Sequence, residues 1–298
     1  MNTPWNIVNR AGPNPVALET TLLCHGVPPE TAPTLADDLA DIVKKHGASP
    51  TLVGVFAGRP TVGLTRTELA QMLAADEVQK VNTANLGFAI YNQTHAATTV
   101  STTMELASIA GVRVFATGGI GGVHRNYAEN LDISSDLTAL TRFPVAVVTS
   151  GVKSLLDVVS TREALETLGV PVIGFQTDTF PAFYLRDGGC AVDARFDDPA
   201  DIAHFITNEL SRTGRGIVIA NPIPKDAELD QKQWKNWLDQ ATDIAKTRGA
   251  TAREVTPTIL ALVHEVSEGK TLEANIALVR SNTDLAARIA VQKTDFRT

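Results

Sequence analysis

Val112-Arg-Val-Phe-Ala-Thr-Gly-Gly-Ile-Gly-Gly-Val-His-Arg125 decides the fold. Val112 to Ala116 is a short β-branched and aromatic run, and a glycine-rich turn follows it at once. A run of that kind predicts a strand buried on both faces. Glycines let a backbone turn several N–H groups toward one point, so the loop is a candidate anion nest. The plainer alternative is a tight turn that needs positive φ. The spacing is not a dinucleotide-binding fingerprint, because His124 stands at the third required glycine. It is not a P-loop either: Gly269-Lys-Thr271 has His264 where the first glycine belongs.

Outward from this segment, strand-like and helix-like runs alternate, which predicts an α/β chain. Leu35 to His46 reads as a helix with Leu35, Leu39, Ile42 and Val43 on one face. Thr34 is placed to cap it, Gly47 to stop it, and Lys44, Lys45 and His46 suit its C-terminal dipole. Thr51 to Phe56, Val145 to Val148, Val170 to Phe175 and Gly216 to Ala220 are further predicted strands. Thr65-Arg-Thr-Glu68 and Ser160-Thr-Arg-Glu163 read as capping boxes, with Gly169 ending the second helix. From about Asp230 the chain is predicted mostly helical, ending in a long helix from Thr271 to Gln292. Such a pattern implies a mixed, largely parallel sheet covered on both faces. No linker or repeat divides residues 1–298, so one domain is expected.

The 298 residues carry 26 Lys and Arg against 33 Asp and Glu, a net charge of −7. That balance argues against a nucleic-acid footprint, though a few local cations suffice for a small anion. Cys24 and Cys190 are too few for a disulfide framework or a four-thiolate zinc site. Met1-Asn-Thr-Pro-Trp has no signal-peptide pattern, and no stretch approaches a membrane span. Val81 to Met104 lacks charge but is rich in Thr, Asn and Ser, which are costly in hydrocarbon. A cytoplasmic protein without membrane or nucleic-acid partners is expected.

Ligands of such sheets bind beyond the carboxyl ends of the strands, and three segments there carry chemistry. The glycine loop with Thr117 and His124 is the first. In Asn130-Leu-Asp-Ile-Ser-Ser-Asp136, an extended chain puts Asp132, Ser134 and Asp136 on one face, fit for a hard cation. The alternative is that Ser135 or Asp136 caps the next helix. In Val147-Val-Thr-Ser-Gly-Val-Lys-Ser154, Lys153 is placed past a strand and just inside a helix, where the dipole favours a neutral amine. A neutral lysine attacks carbonyl-like carbons; the alternative is a surface lysine. Glu19, after the apolar run Val16-Ala-Leu, is a candidate general acid or a capping carboxylate. Lys80 is a candidate phosphate contact or a solvated charge. His25 and His124 are isolated, and no serine-hydrolase or zinc-protease motif is present.

Together these segments resemble the pseudouridine-5'-phosphate glycosidases, the indigoidine synthase A-like family. The likeness runs through Ala17-Leu-Glu-Thr-Thr21, Phe115 to Arg125, Asp132-Ile-Ser-Ser-Asp136 and Gly151-Val-Lys-Ser154. It continues in Gly174 to Tyr184, Ala220-Asn-Pro-Ile-Pro224, Val255-Thr-Pro257 and Glu273 to Val279. The resemblance implies a three-layer αβα fold with a helical C-terminal part, a homotrimer, and one Mn2+ per subunit held mostly by water. It implies reversible conversion of pseudouridine 5'-phosphate and water to uracil and ribose 5-phosphate. It makes Glu19 the proton donor, Lys153 a nucleophile that forms an imine, and Asp132 the metal ligand. Lys80, Val100, Ser134, Ser135 and Asp136 become substrate contacts, joined by Thr117, His124 and Asn275. The chain departs from the family after Lys80: Val81-Asn-Thr-Ala-Asn-Leu86 lacks the expected Arg and Asp. The alternatives are a related C-glycosidase or C-glycosynthase acting on another C-nucleotide, and a Schiff-base sugar-phosphate aldolase.

Overall fold

The structure is a computed structural model that describes residues 6–125, 127, 131–247 and 255–292. Met1 to Trp5 and Asn130, used in the sequence reading, lie outside the described residues. The strand predicted before the glycine loop forms as Val114–Ala116, at the centre of an eleven-stranded sheet. On one side it pairs with Pro15–Glu19, then come Ser49–Phe56, Arg59–Val62 and Val8–Asn9. On the other side lie Ala146–Thr149, Ile217–Ala220, Val172–Phe175 and Ala194–Phe196. Pairing is parallel from Ser49–Phe56 to Ala194–Phe196 and antiparallel between Ser49–Phe56 and Arg59–Val62. The sheet is therefore mixed and largely parallel.

Residues alternate between two apolar layers, as a doubly covered sheet requires. Val16, Leu18, Val114, Ala116, Val148 and Ile219 face helices Ala32–Lys45, Pro199–Thr213 and Lys270–Ala290. Ala17, Val53, Phe115, Val147 and Val218 face helices Val100–Ile109, Ser135–Arg142 and Val158–Thr167. The result is three layers, helix–sheet–helix. Helices Gln231–Thr247, Val255–Val266 and Lys270–Ala290 make up the C-terminal part, as the sequence predicts.

Pro15–Glu19 is shorter than its neighbour. It ends at Glu19, opposite Val53, and Ala96–Thr98 then takes over the free edge at Gly54 and Val55. Gln79–Val81 pairs in parallel with Ala96–Thr98, which sets Lys80 opposite Ala97. The substitution of one strand for another brings Lys80 to the carboxyl end of the sheet.

Several local expectations change. The first long helix starts at Ala32, not Leu35, with Pro in its first turn; Thr34 is inside it and makes no cap. The Thr65–Glu68 capping box forms with both of its hydrogen bonds. The Ser160–Glu163 box does not: Asp157 caps the helix Val158–Thr167 by accepting from the Ser160 N–H. Lys153 lies in a loop before Leu156–Asp157, five residues ahead of the nearest helix, so a helix dipole does not act on it as expected. Asp132, Ser134 and Asp136 do not share a face. Ser134 caps Ser135–Arg142, Asp136 is buried in its first turn, and Asp132 stays outside.

Candidate active site

Four strands deliver the central groups with their last residue or the next one. Glu19 ends Pro15–Glu19, Thr117 follows Val114–Ala116, Ser150 follows Ala146–Thr149 and Asn221 follows Ile217–Ala220. Above them opens a cavity of about 530 Å³. Glu19, Lys80, Lys153 and Asn275 all stand on its wall, with Gly118 and Gly119 of the glycine loop. The sequence reading therefore gathers four of its site residues in one place.

Glu19 is only 8% exposed. Burial raises its carboxyl above the ordinary range, and nearby Asp136 pushes the same way. Lys153, the Thr117 hydroxyl and Lys80 pull in the opposite direction without cancelling it. Thr117 Oγ1 donates directly to Glu19 Oε1. Lys80 faces the open cavity, but protein crowds it. That burial, and then the charge of Lys153, lowers its pKa, while Glu19 and Asp136 raise it. Two lysines and two carboxyl groups thus form one electrostatic unit.

The glycine loop is built by close approach rather than by backbone handedness. None of Gly118, Gly119, Gly121 and Gly122 has a positive φ. A Cβ on Gly121 would sit 2.2 Å from Ser134 Oγ and 2.8 Å from Asp136 Oδ2. The anion held by this loop is Asp136 itself, which accepts from the Gly121 N–H at 2.8 Å and the Ser101 N–H at 3.0 Å. Gly151, two residues before Lys153, is different. Its φ is +81°, and a Cβ there would lie 1.8 Å from the Pro181 carbonyl oxygen. This tight crossing turns the chain so that Lys153 enters the cavity.

The remaining expected residues do not line this cavity. Val100 is buried, so only its N–H, free of an intrahelical acceptor at the first helical position, is suited to a ligand. Ser135 Oγ lies 3.1 Å from Ser101 Oγ. His124 and Asp132 sit together to one side, with Nδ1 and Oδ2 3.5 Å apart and Asp132 58% exposed. Among the described residues no group of three or more His, Cys, Asp or Glu is arranged to hold a metal. One open carboxylate beside an imidazole fits a divalent cation that keeps most of its water.

Asn275 is 7% exposed, and its Oδ1 has no protein hydrogen-bond partner. That oxygen is itself buried, although the residue lines the cavity. Sequence reasoning missed the apolar wall: Leu22, Val27, Leu155, Phe183, Tyr184 and Trp234. Phe183 and Tyr184 did stand in a quoted segment; Trp234 carried no signal. His25 also lines the cavity, and burial with the Lys80 charge lowers its pKa. The amides after Lys80 lock their own turn. Asn82 N–H donates to Asn85 Oδ1 at 2.7 Å, and Asn85 Nδ2 donates to the Lys80 carbonyl at 3.4 Å.

The sequence model of a family described as indigoidine synthase A like protein matches residues 8–292. The chain belongs to the indigoidine synthase A-like family. Among relatives in the family, the pseudouridine-5'-phosphate glycosidase of Geobacillus kaustophilus is 46% identical over 278 residues, covering 92% of each chain. That of Nocardioides sp. is 42% identical over 290 residues, 97% of this chain and 94% of its own. An indigoidine synthase A-like protein from Thermotoga maritima superposes with a TM-score of 0.89 at 32% identity, covering 98% and 97% of the two chains. The prealnumycin C-glycosynthase AlnA, solved with ribulose 5-phosphate, gives a TM-score of 0.83 at 30% identity over 92% and 91%.

Proposed function

We propose that this protein is an enzyme that reversibly cleaves the C–C glycosidic bond of pseudouridine 5'-phosphate to uracil and ribose 5-phosphate. The observation that carries the reading is the convergence of Glu19, Lys80 and Lys153 on one cavity. Relatives at 42–46% identity that bear the glycosidase name support it.

The bond is C–C, so protonating a leaving oxygen, the usual glycosidase device, does not break it. Glu19, which burial keeps inclined to hold a proton, protonates the ribose ring oxygen. The ring opens and leaves C1' electrophilic and conjugated with uracil. The amine nitrogen of Lys153 adds to C1'. The added nitrogen gives up a proton and one is delivered to uracil C5; the freed nitrogen pair then forms the C1'=N bond, and the C5–C1' pair departs with uracil. Water then hydrolyses the imine, which releases ribose 5-phosphate and restores the lysine. The covalent route divides one hard step into easier ones.

Lys80, with the hydroxyls of Ser134 and Ser135, the Asp136 turn and the Val100 N–H, holds the phosphate end. Asn275, Thr117 and His124 complete the contacts. Asp132 would hold Mn2+, with His124 beside it; bound there, the ion would supply positive charge and ordered water. The proposal includes one domain over residues 1–298, a homotrimer and a cytoplasmic location. Exposed Phe88 and Tyr91, 68% and 85% accessible on the helix Leu86–Tyr91, offer apolar surface to another copy. No helix among the described residues is long and apolar enough to cross a membrane. The likeness to AlnA favours, as a second reading, synthesis of another C-nucleotide by the same lysine chemistry.

The test is uracil release from pseudouridine 5'-phosphate, with manganese and with excess chelator, for wild type and Lys153→Ala. The expected result is metal-dependent release by wild type and a loss of about 10³-fold or more in the variant. No release by folded, manganese-loaded wild type would overturn the substrate assignment.

A further inference from the structure

Asn282 is 0% exposed, lies on the helix Lys270–Ala290 and takes no part in the chemistry above. Its side chain nevertheless reaches the two segments that carry that chemistry. Nδ2 donates to the Thr117 carbonyl at 2.8 Å and to Ser150 Oγ at 3.1 Å. Oδ1 accepts from Asn221 Nδ2 at 2.9 Å. Ser150 Oγ in turn donates to the Asn221 carbonyl at 3.0 Å. The Thr117 carbonyl only accepts, which fixes the amide orientation. One side chain therefore ties together the residues that follow three adjacent parallel strands.

Two of those residues lead directly to reacting groups. Thr117 donates its hydroxyl to Glu19. Ser150 opens the turn that runs through Gly151 to Lys153. Seven residues before Asn282 on the same helix, and so on the same face, Asn275 lines the cavity. We propose that Asn282 is a positioning residue that fixes the spacing between the Glu19–Thr117 pair and the Lys153 loop, in register with Asn275. A buried amide with its donors and acceptor all paired is rigid, and a catalytic pair needs that rigidity. The proposal rests on the glycosidase reading for the roles of Glu19 and Lys153.

The experiment compares wild type with Asn282→Asp, an isostere that loses the donors, and Asn282→Ser, a smaller uncharged residue. Uracil release gives kcat and KM. Carbon-13 NMR of the Glu19 carboxyl, assigned by its absence in Glu19→Gln, gives its titration without substrate. The expected result is kcat lower by about tenfold to a hundredfold in both variants, with KM within about twofold. The Glu19 titration should move to higher pH in both, because the Thr117 hydroxyl no longer steadies the carboxylate. A lower melting temperature with kcat and titration unchanged would overturn the proposal, leaving Asn282 a packing residue. A shift confined to Asn282→Asp would overturn it too, since that is the field of a new carboxylate. Should wild type release no uracil while both variants shift the titration, the glycosidase reading falls and the positioning of Glu19 by Asn282 stands.

Discussion

Lys80 and Lys153 stand on one cavity wall, and the proposed function gives them different ends. In the proposed mechanism Lys153 forms a bond to carbon, whereas Lys80 pairs with phosphate. Replacing Lys80 with methionine keeps the aliphatic stem and removes the charge. A charge-assisted hydrogen bond is worth about 1.5–3 kcal/mol. Lys80→Met is therefore expected to raise KM for pseudouridine 5'-phosphate by about tenfold to a hundredfold, and KM for the nucleoside far less. Steady-state kinetics on the two substrates checks this; equal losses on both would give Lys80 a role away from the phosphate. Adding ribose 5-phosphate and borohydride should reduce an imine onto Lys153, seen as a mass increase in its peptide that Lys153→Ala lacks. Glu19 and Lys153 were legible in the sequence because each stands beside a strand-like run, where a site in a parallel sheet is expected; beside Lys80 no strand was read, and Gln79–Val81 emerges only in the structure. The separation of Asp132 from Asp136 was not. Period-2 alternation applies only while a chain stays extended, and Ser134 starts a helix between them.

Helix starts show what a short motif does and does not settle. Thr65 and Glu68 form the reciprocal box that their spacing predicts. Ser160 and Glu163 have the same spacing, yet Asp157 takes the cap. The reason is tertiary: Leu156–Asp157 pairs with Val123–His124 of the glycine loop, and this short ladder sets where the chain turns into helix. It also displaces Lys153 from the helix start, which neither propensity nor spacing reveals. Asp157→Ala should cost about 1 kcal/mol in urea unfolding, and Glu163→Ala less than about 0.5 kcal/mol. The reverse order would restore the Ser160 cap and place Lys153 nearer the helix than the structure has it. The strands were easier to read, since Val114–Ala116, Ala146–Thr149, Val172–Phe175 and Ile217–Ala220 are β-branched runs buried on both faces. Only their ends differ from expectation, by one or two residues.

The whole chain was legible as α/β, and its last third as helical, but the docking of those helices over the sheet was not. Trp234, His264 and Asn275 reach the cavity through contacts remote in sequence, and local pattern carries no record of them. That docking encloses the site and makes Glu19 a determinant of stability as well as the proposed proton donor. Burial sets the folded pKa of Glu19 above its unfolded value. Below the unfolded value both states are protonated, and Glu19 brings no charge into the fold. As pH rises through the folded value, the native state must ionise a buried carboxyl, and stability is lost. Glu19→Gln cannot ionise. Its melting temperature relative to wild type should therefore increase from about pH 4, near the free glutamate pKa, to about pH 9. Thermal melts across that range decide the matter. An advantage that shrinks as pH rises would mean that Lys153 and Lys80 hold Glu19 as a carboxylate in the native state, and the ring oxygen would then need another proton donor.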